Sequence, residues 1–372
     1  MGSSPAKAIE QTLDSLMVNY TKRERERMIS TTNVTLRGTN WGRSRRHNLP
    51  KAQTDIEQQF AMIWDQLAPY GVGAGDADAA RAVIRRLADD AEFMAKAYAS
   101  RRSWGGPLPK APVFATGAGS KKTAATGERI KESIMYGAPA NEAAAWLELN
   151  PTDPLAVKCA CAGVELRNRC TYSTRGCRKA CLYTSGHGTV PKTMKGRVAR
   201  TIFSQVDTLS WFVIVYRQLR AKNRTATRTG VPHMVRMCGT EDLAYELHPI
   251  MSMIFDDMQA LRFDDYTKYP AQERPQIVFG PTLVRSVWTD RDSVDVVVAL
   301  ILSGERISIV CDSFEPWASV PGAIDATTGD DWIDDPTNLV GVLEPLGDCV
   351  PADVYSSAEI VAALVAALVA TA

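Results

Sequence analysis

The chain has 372 residues, of which 45% are hydrophobic and 23% are charged, and its net charge is +1. This composition is typical of globular proteins, and the length allows two domains or one large α/β domain with an appendage. No run approaches the roughly 18 apolar residues that a membrane-spanning helix needs, and the first residues show no signal-peptide pattern. We therefore expect a cytoplasmic protein without a membrane partner.

Helical periodicity dominates both ends of the chain. Apolar residues at helical spacing predict amphipathic helices at 6–29, 53–68 and 77–100. We assign residues 1–103 to a small helical N-terminal domain, which a Gly- and Pro-rich linker at 104–112 separates from the rest. Residues 351–372 are predicted to form an apolar C-terminal helix, because Ser356 and Glu359 make a capping box before an apolar run.

The middle of the chain alternates helical with strand-like segments. The helical stretches are at 191–204, 206–222 and 248–260. The strand-like runs are at 234–237, 276–279, 294–301, 307–311 and 339–343. Such alternation favours a parallel sheet with right-handed crossovers, so we predict an α/β fold at 113–350, with a barrel-like or partial-barrel parallel sheet and flanking helices. In such sheets, functional side chains gather at the carboxyl ends of the strands.

Five of the eight cysteines lie within 23 residues: Cys159, Cys161, Cys170, Cys177 and Cys181. In a reducing cytosol, clustered cysteines are more often metal ligands or catalytic thiols than disulfides. Zinc, which takes nitrogen or sulfur ligands, and an iron–sulfur cluster, which takes thiolates, both fit this set, to which His187 adds a nitrogen. The spacing matches neither a zinc ribbon nor the usual radical-enzyme motif, so the choice of metal stays open. Free or packed cysteines are the alternative, and Cys238, Cys311 and Cys349 are predicted to belong to the core.

Charge is unevenly distributed along the chain. Residues 158–236 carry sixteen Lys and Arg against two acids, whereas residues 307–372 carry eleven acids and no Lys or Arg. The basic part suits phosphate or nucleic acid; alternatively, the two parts neutralise each other across the fold. The candidate phosphate or nucleic-acid contacts are Lys121, Lys122, Arg178, Lys179, Lys195, Arg197 and Arg200. The last three are predicted to lie on the exposed face of a helix.

Three polar segments carry candidate catalytic residues. Gly239-Thr240-Glu241-Asp242 ends a predicted strand, where carboxylates can act as a general base, bind an amine or hold a metal; the alternative is a helix cap. Asp265 and Lys268 flank a tyrosine and a threonine, and can bind phosphate or transfer a proton unless the segment is a surface loop. Asp330 belongs to a loop with five Asp residues in eleven positions, which suits a divalent metal or a base but lacks the EF-hand order. The predicted catalytic residues are Glu241, Asp242, Asp265, Lys268 and Asp330.

These motifs, in this order, resemble the gene-product-88 family of bacteriophage proteins over residues from about 115 to 350. The shared segments are Lys121-Lys122-Thr123, Cys170 to Cys181, Gly186-His187-Gly188 with Arg197 and Arg200, Arg236 to Glu246, Asp265 to Lys268, and Gly329 to Pro336. Cys159 and Cys161 lie outside the family pattern, so the resemblance narrows the predicted metal ligands to Cys170, Cys177 and Cys181. The family's usual Ser-Asp is Glu241-Asp242 here. The resemblance implies a phage origin and the host cytoplasm, and it supplies no established function.

The three-cysteine loop is similar to that of phage proteins suspected of radical S-adenosylmethionine chemistry in a partial barrel, and to that of zinc barrels that exchange bases in nucleic acid. We therefore expect a phage metalloenzyme that acts on a nucleotide or nucleic acid. Its cofactors would be an iron–sulfur cluster and S-adenosylmethionine, and Gly239, Thr240 and Glu241 would form the cofactor-binding turn. One alternative is a zinc-dependent base-exchange or hydrolytic enzyme with Asp242 or Asp265 as the nucleophile. Another is a nucleic-acid-binding or host-interaction protein whose metal is structural.

Overall fold

The computed structural model describes nine stretches of the chain. They are residues 51–105, 113–116, 131–139, 141–184, 186–277, 280–327, 331–334, 337–345 and 351–371. The predicted helix at 6–29 and most of the predicted linker lie outside these residues, as do Lys121, Lys122 and Asp330.

One eight-stranded sheet organises the described part of the chain, in the order β1-β2-β3-β4-β5-β6-β8-β7. The strands are β1 (Phe114–Thr116), β2 (Lys131–Met135), β3 (His233–Arg236), β4 (Leu261–Thr267), β5 (Thr282–Val287), β6 (Ile307–Val310), β7 (Ala323–Asp325) and β8 (Val340–Leu343). The seven strands from β2 to β8 are parallel, and β1 pairs antiparallel with β2. The sheet curls into a half-barrel flanked by helices, which confirms the predicted α/β partial barrel.

The α-helices of the described residues flank this sheet. They are α1 (Lys51–Gln59), α2 (Ile63–Leu67), α3 (Ala77–Leu87), α4 (Ala91–Ser103), α5 (Glu142–Leu149), α6 (Pro154–Cys161), α7 (Arg175–Lys179), α8 (Pro191–Val206), α9 (Thr208–Thr229), α10 (Met253–Asp257), α11 (Val294–Leu302) and α12 (Ser357–Thr371). The Asp207 carboxylate caps the start of α9 by accepting from the Ser210 N–H at 3.2 Å, and Gly230 ends the helix in the left-handed region. The predicted helices at 191–204 and 206–222 are confirmed, and so is the C-terminal helix.

Three secondary-structure predictions are wrong. Residues 294–301 form helix α11 instead of a strand, because Ser293 caps its start and a short apolar run fits a helix as well as a buried strand. Gln276 and Ile277 belong to no strand, and of the helix predicted at 248–260 only α10 is α-helical. The core positions predicted for Cys238 and Cys311 are confirmed by their burial, and Cys349 lies outside the described residues.

The helices from α1 to α4 share a hydrophobic core with the sheet. Phe60 stacks on Trp211 of α9, with ring centroids 5.2 Å apart, and α4 packs along the same helix. An ion pair of 2.7 Å joins Arg85 of α3 to Asp257 of α10. These contacts fix the N-terminal helices against the back of the sheet, and the domain boundary near residue 103 stays a prediction.

The C-terminal helix α12 covers the other end of the sheet. Ile360, Leu364 and Leu368 are spaced at four residues, so they form one apolar face that is buried beside α11. No single helix of the described residues is long and apolar enough to cross a membrane; α8 and α9 satisfy length and composition only together, with a bend of 114° between them.

Candidate functional site

The three-cysteine loop lies on the carboxyl edge of the parallel sheet. Within it, the Thr174 hydroxyl caps helix α7 by accepting from the Cys177 N–H at 3.0 Å. The Gly176 N–H donates to Asp290 Oδ2 at 2.9 Å, just past the end of β5. A Cβ on Gly176 would lie 2.8 Å from the ring of Trp288, so this position accepts only glycine without a shift of the loop. The loop is therefore packed closely onto the end of β5.

The turn that follows β3 joins this loop to the end of β2. The Thr240 hydroxyl donates to the Gly137 carbonyl at 2.6 Å. The Cys170 sulfur lies 3.9 Å from the Thr240 carbonyl oxygen, and the Asp242 N–H donates to the Arg169 carbonyl at 2.9 Å. The predicted cofactor-binding turn and the cysteine loop thus form one unit.

All three cysteines of the loop act electrostatically on Lys268, the residue after β4. Burial lowers the pKa of Lys268, but the charges of Cys177, Asp242, Cys170 and Cys181 raise it, and the net shift is upward. The Lys268 N–H donates to Asp242 Oδ2 at 2.6 Å, which fixes the backbone there. Burial also raises the pKa of the Cys181 thiol. Burial outweighs the opposing charge of Lys268 at Cys181, so this thiol must lose a proton when it binds a metal.

The residue types of the loop are those of a thiolate-ligated metal centre, but their placement is not that of a formed one. Within the described residues, no group of three or more His, Cys, Asp or Glu side chains is placed to hold a metal ion. An iron–sulfur cluster binds its thiolates on different irons, so it requires thiols around a shared space. The loop and Lys268 supply thiols and a compensating positive charge. Of the two upstream cysteines, Cys159 is buried and Cys161 is exposed, both on α6.

The carboxylate of Glu241 is bound to a buried arginine. Arg169 Nε donates to Glu241 Oε2, and the same guanidinium donates to Ser204 Oγ at 3.0 Å and to Tyr245 Oη at 3.1 Å. A Cβ on Gly137 would lie 2.2 Å from Glu241 Oε2, so a glycine is needed where the carboxylate passes β2. A ligand amine at Glu241 would have to share this carboxylate with Arg169.

Arg274 holds three carboxylates beneath the same edge. It donates to Asp242 Oδ1 at 3.0 Å, to Glu246 Oε1 at 2.7 Å and to Asp265 Oδ2 at 2.8 Å. All four side chains are buried. Burial raises the pKa of Asp265 to about 7, against the opposing effect of Arg274 and with a further contribution from Asp242 and Glu246. Asp242 and Asp265 thus face an internal ion network.

The predicted phosphate contacts Arg178, Lys179 and Lys195 lie near the surface. Arg178 is exposed. Lys179 and Lys195 are paired with Asp353 and Asp153, each at 2.7 Å. The Lys179 pair joins a basic and an acidic part of the chain, as the prediction of mutual neutralisation requires.

The prediction that Arg197 lies on an exposed helix face is wrong. Its side chain is only 6% exposed, because the segment that precedes α8 covers it and the Leu182 carbonyl accepts from its Nη1 at 3.1 Å. Arg200 is half-buried on the same helix, and its Nε donates to the Tyr136 carbonyl at 2.7 Å. Helical periodicity could not reveal this, since the cover comes from a loop.

Two arginines of the site, Arg169 and Arg274, were not predicted. No local pattern distinguishes them from other basic residues of the chain. The usable signal was indirect: carboxylates predicted at strand ends inside a sheet need buried cations, since an unpaired buried charge is strongly unfavourable.

Comparison with known proteins gives one match. A family model described as gene product 88 matches residues 118–340, which is more than half of the chain. No curated protein and no solved structure matches.

Proposed function

The chain belongs to the gene product 88 family of bacteriophage proteins, and from that premise we propose that it is a phage metalloenzyme acting on a nucleotide or nucleic acid in the host cytoplasm. The observation that carries the proposal is that Cys170, Cys177 and Cys181 all lie near enough to Lys268, at the carboxyl edge of a parallel half-barrel, to raise its pKa. Carboxyl edges of this kind are where α/β folds gather their functional side chains.

The three thiols would hold an iron–sulfur cluster. With three protein thiolates, one iron is left to take a further ligand such as S-adenosylmethionine, which supplies radical chemistry when bound. Lys268 would offset the negative charge of the cluster. Gly239, Thr240 and Glu241 would bind the cofactor, with Glu241 receiving its amino group beside Arg169.

The remaining candidate residues would bind the substrate or act on it. Asp242, Asp265, Lys268 and Asp330 are the proposed catalytic groups. Lys121, Lys122, Arg178, Lys179 and Lys195 are the proposed contacts to phosphate groups, and Arg178 is supported by its exposure.

A zinc enzyme is the second candidate, because thiolates bind zinc as readily as iron. Asp242 or Asp265 would then act as the nucleophile in base exchange or hydrolysis. The ion pairs of both carboxylates with Arg274 weaken either one as a nucleophile, although Asp265 Oδ1 has no hydrogen-bond partner among the described residues. In a third candidate the metal is structural and the protein binds nucleic acid or a host protein.

Metal content and the absorption spectrum of the full chain, purified without oxygen, test the proposal. We expect bound iron and an absorption band at roughly 400 nm, as thiolate-ligated iron gives; a colourless zinc protein would support the second candidate. Ala substitution at Cys170, Cys177 or Cys181 should remove the metal, whereas the exposed Cys161→Ala is the matched control and should retain it. Wild-type protein that binds neither iron nor zinc would overturn the proposal.

A phage assay separates the enzyme from the third candidate. Lys268→Ala should abolish the phage phenotype of the gene if Lys268 works at a reacting centre. An intact phenotype, with metal still bound, would instead support a protein whose metal is structural.

A further inference from the structure

Helix α1 buries a face that is mostly polar. Five of its nine residues are buried, and three of these five are polar: Gln53, Asp55 and Gln59. A buried polar side chain is unfavourable unless it is hydrogen-bonded, so such a face contributes directed contacts more than apolar burial. The family match begins at residue 118, so α1 lies outside it. The partners of these side chains show what the helix holds.

Gln59 holds the backbone that leads to Cys170. Its Nε2 donates to the Asn168 carbonyl at 2.7 Å, and its Oε1 accepts from Gln205 Nε2 of α8 at 2.9 Å. The side chain of Asn168 accepts in turn from the Cys170 N–H, at 2.8 Å from its Oδ1. Gln59 therefore ties α1 and α8 to the residue that fixes the backbone of Cys170.

Asp55 holds the chain on the other side of Cys170, through a tyrosine. Its Oδ2 accepts from the Tyr269 hydroxyl at 2.6 Å, and both side chains are buried. The Tyr269 ring packs against that of Tyr172, with ring centroids 4.8 Å apart. Tyr172 follows Cys170 by two residues, so α1 supports the chain both before and after this cysteine.

Cys170 is the cysteine of the loop that depends most on such support. It is buried, whereas Cys177 and Cys181 are half-buried. The position of its thiol is set by the backbone from Asn168 to Tyr172, which contacts α1 at both ends. A metal site requires ligand distances correct to within about 0.2 Å, so the backbone that carries a ligand must be held firmly.

We propose that helix α1 is a positioning element of the cysteine loop, in which Asp55 and Gln59 hold Cys170 where its thiol can bind the metal. The metal part of this inference rests on the proposed function, whereas the holding of Cys170 does not. The N-terminal helices would then complete a site whose cysteines lie in the part of the chain that the family model matches.

The rate at which iodoacetamide alkylates Cys170 tests this positioning, in the full chain after a chelator has removed any metal. Mass spectrometry distinguishes the cysteines. Gln59→Ala should raise the rate by roughly 5- to 30-fold, because the segment loses a buried hydrogen bond and opens more often. Asp55→Ala should do the same, whereas Asp55→Asn retains an oxygen that accepts from Tyr269 and should stay close to the wild type. The exposed Cys161 is the internal reference and should react equally in all variants.

Gln66→Ala is the matched control. Gln66 also makes two hydrogen bonds, to the Val206 carbonyl at 2.9 Å and from the Leu209 N–H at 2.8 Å, but at the junction of α8 and α9. Its loss should reduce stability about as much as Gln59→Ala does and leave the Cys170 rate nearly unchanged. Equal Cys170 rates in the two variants would overturn the positioning role of α1.

Metal release provides a second readout and separates this inference from the proposed function. If the wild type binds metal, Gln59→Ala should lose it to a chelator faster than Gln66→Ala does, and equal release would overturn the metal part of the inference. If the wild type binds no metal, the proposed function fails, while the alkylation rates of Cys170 still decide whether α1 holds the loop.

Discussion

The protein has two neighbouring buried charge clusters that differ in composition. Carboxylates outnumber cations in the first, and cations outnumber carboxylates in the second. Around Arg274, one guanidinium holds three carboxylates, and each of these acids has a hydrogen bond to it. Around the cysteine loop, Lys268 is close to three thiols and to Asp242, whereas Arg197 and Arg200 donate to carbonyl oxygens and form no ion pair with a described carboxylate. The first cluster stabilises the fold through its own ion pairs, whereas the second is the one that the proposed metal centre would use. The predictions below test this division.

The largest effect on stability is expected from removing Arg274, the cation that binds Asp242, Glu246 and Asp265. Arg274→Ala leaves Asp242, Glu246 and Asp265 buried without their partner, and should reduce the free energy of unfolding by about 3–5 kcal/mol. Urea unfolding measures it. Arg178→Ala, an exposed arginine, is the control and should change stability by less than about 0.5 kcal/mol. Equal losses in the two variants would mean that the cluster does not stabilise the fold.

The pH dependence of stability should reveal Asp265. Its pKa is raised to about 7 in the folded state, well above the ordinary aspartate value of about 3.8. A raised pKa means that the folded state holds the proton more tightly, so this contribution to stability is fully present below about pH 4 and is lost as pH rises through about 7. The loss should be roughly 2–4 kcal/mol in the wild type. Asp265→Asn should flatten this part of the profile, and an unchanged slope would argue against a raised pKa.

A smaller effect is expected where the cysteine loop meets β5. Gly176→Ala places a methyl group 2.8 Å from the Trp288 ring, so the loop or that ring must shift, with a cost of roughly 1–3 kcal/mol and weaker metal binding. Gly196→Ala is the matched control, because its new methyl on helix α8 meets nothing within 4 Å. It should stabilise the protein by about 0.5–1 kcal/mol. A Gly176→Ala protein with full stability and full metal content would show that the loop is not tightly held.

The smallest effect concerns the exposed basic surface. Arg178→Ala should leave stability nearly unchanged. If Arg178 contacts a phosphate, the slope of the logarithm of the nucleic-acid binding constant against the logarithm of the salt concentration should become shallower by about one. Binding titrations with a short DNA at several salt concentrations measure this slope. An unchanged slope would remove Arg178 from the interface.

The sequence predicted some of these features and could not predict others, for physical reasons. β3 was recognisable because its apolar residues end in a glycine turn, and the half-barrel followed from the alternation of elements. β4 was not, because Asp264 and Asp265 make it look like a loop; their partners, Arg236 and Arg274, come from other parts of the chain. The burial of Arg197 depends on a covering loop, which no periodicity encodes.

The order of the cysteines and of the strand-end motifs along the chain identified the family resemblance, which no single motif did. The turn at Gly239–Asp242 contacts the cysteine loop in the structure, and Lys268 lies near its thiols, but the order of the motifs did not specify these contacts. It gave no warning that Glu241 and Asp242 would be engaged by arginines, since Arg169 and Arg274 look like ordinary basic residues. Ionic partners across a fold are set by tertiary packing alone.

The most direct test of the central claim is the number of metal ions bound per chain, measured by elemental analysis of oxygen-free wild-type protein and of Cys177→Ala beside it. If the cysteine loop is a metal centre, the wild type should contain iron or zinc in a stoichiometric amount, and Cys177→Ala should lose most of it. Wild-type protein free of both metals, or Cys177→Ala with the same metal content as the wild type, would contradict the claim.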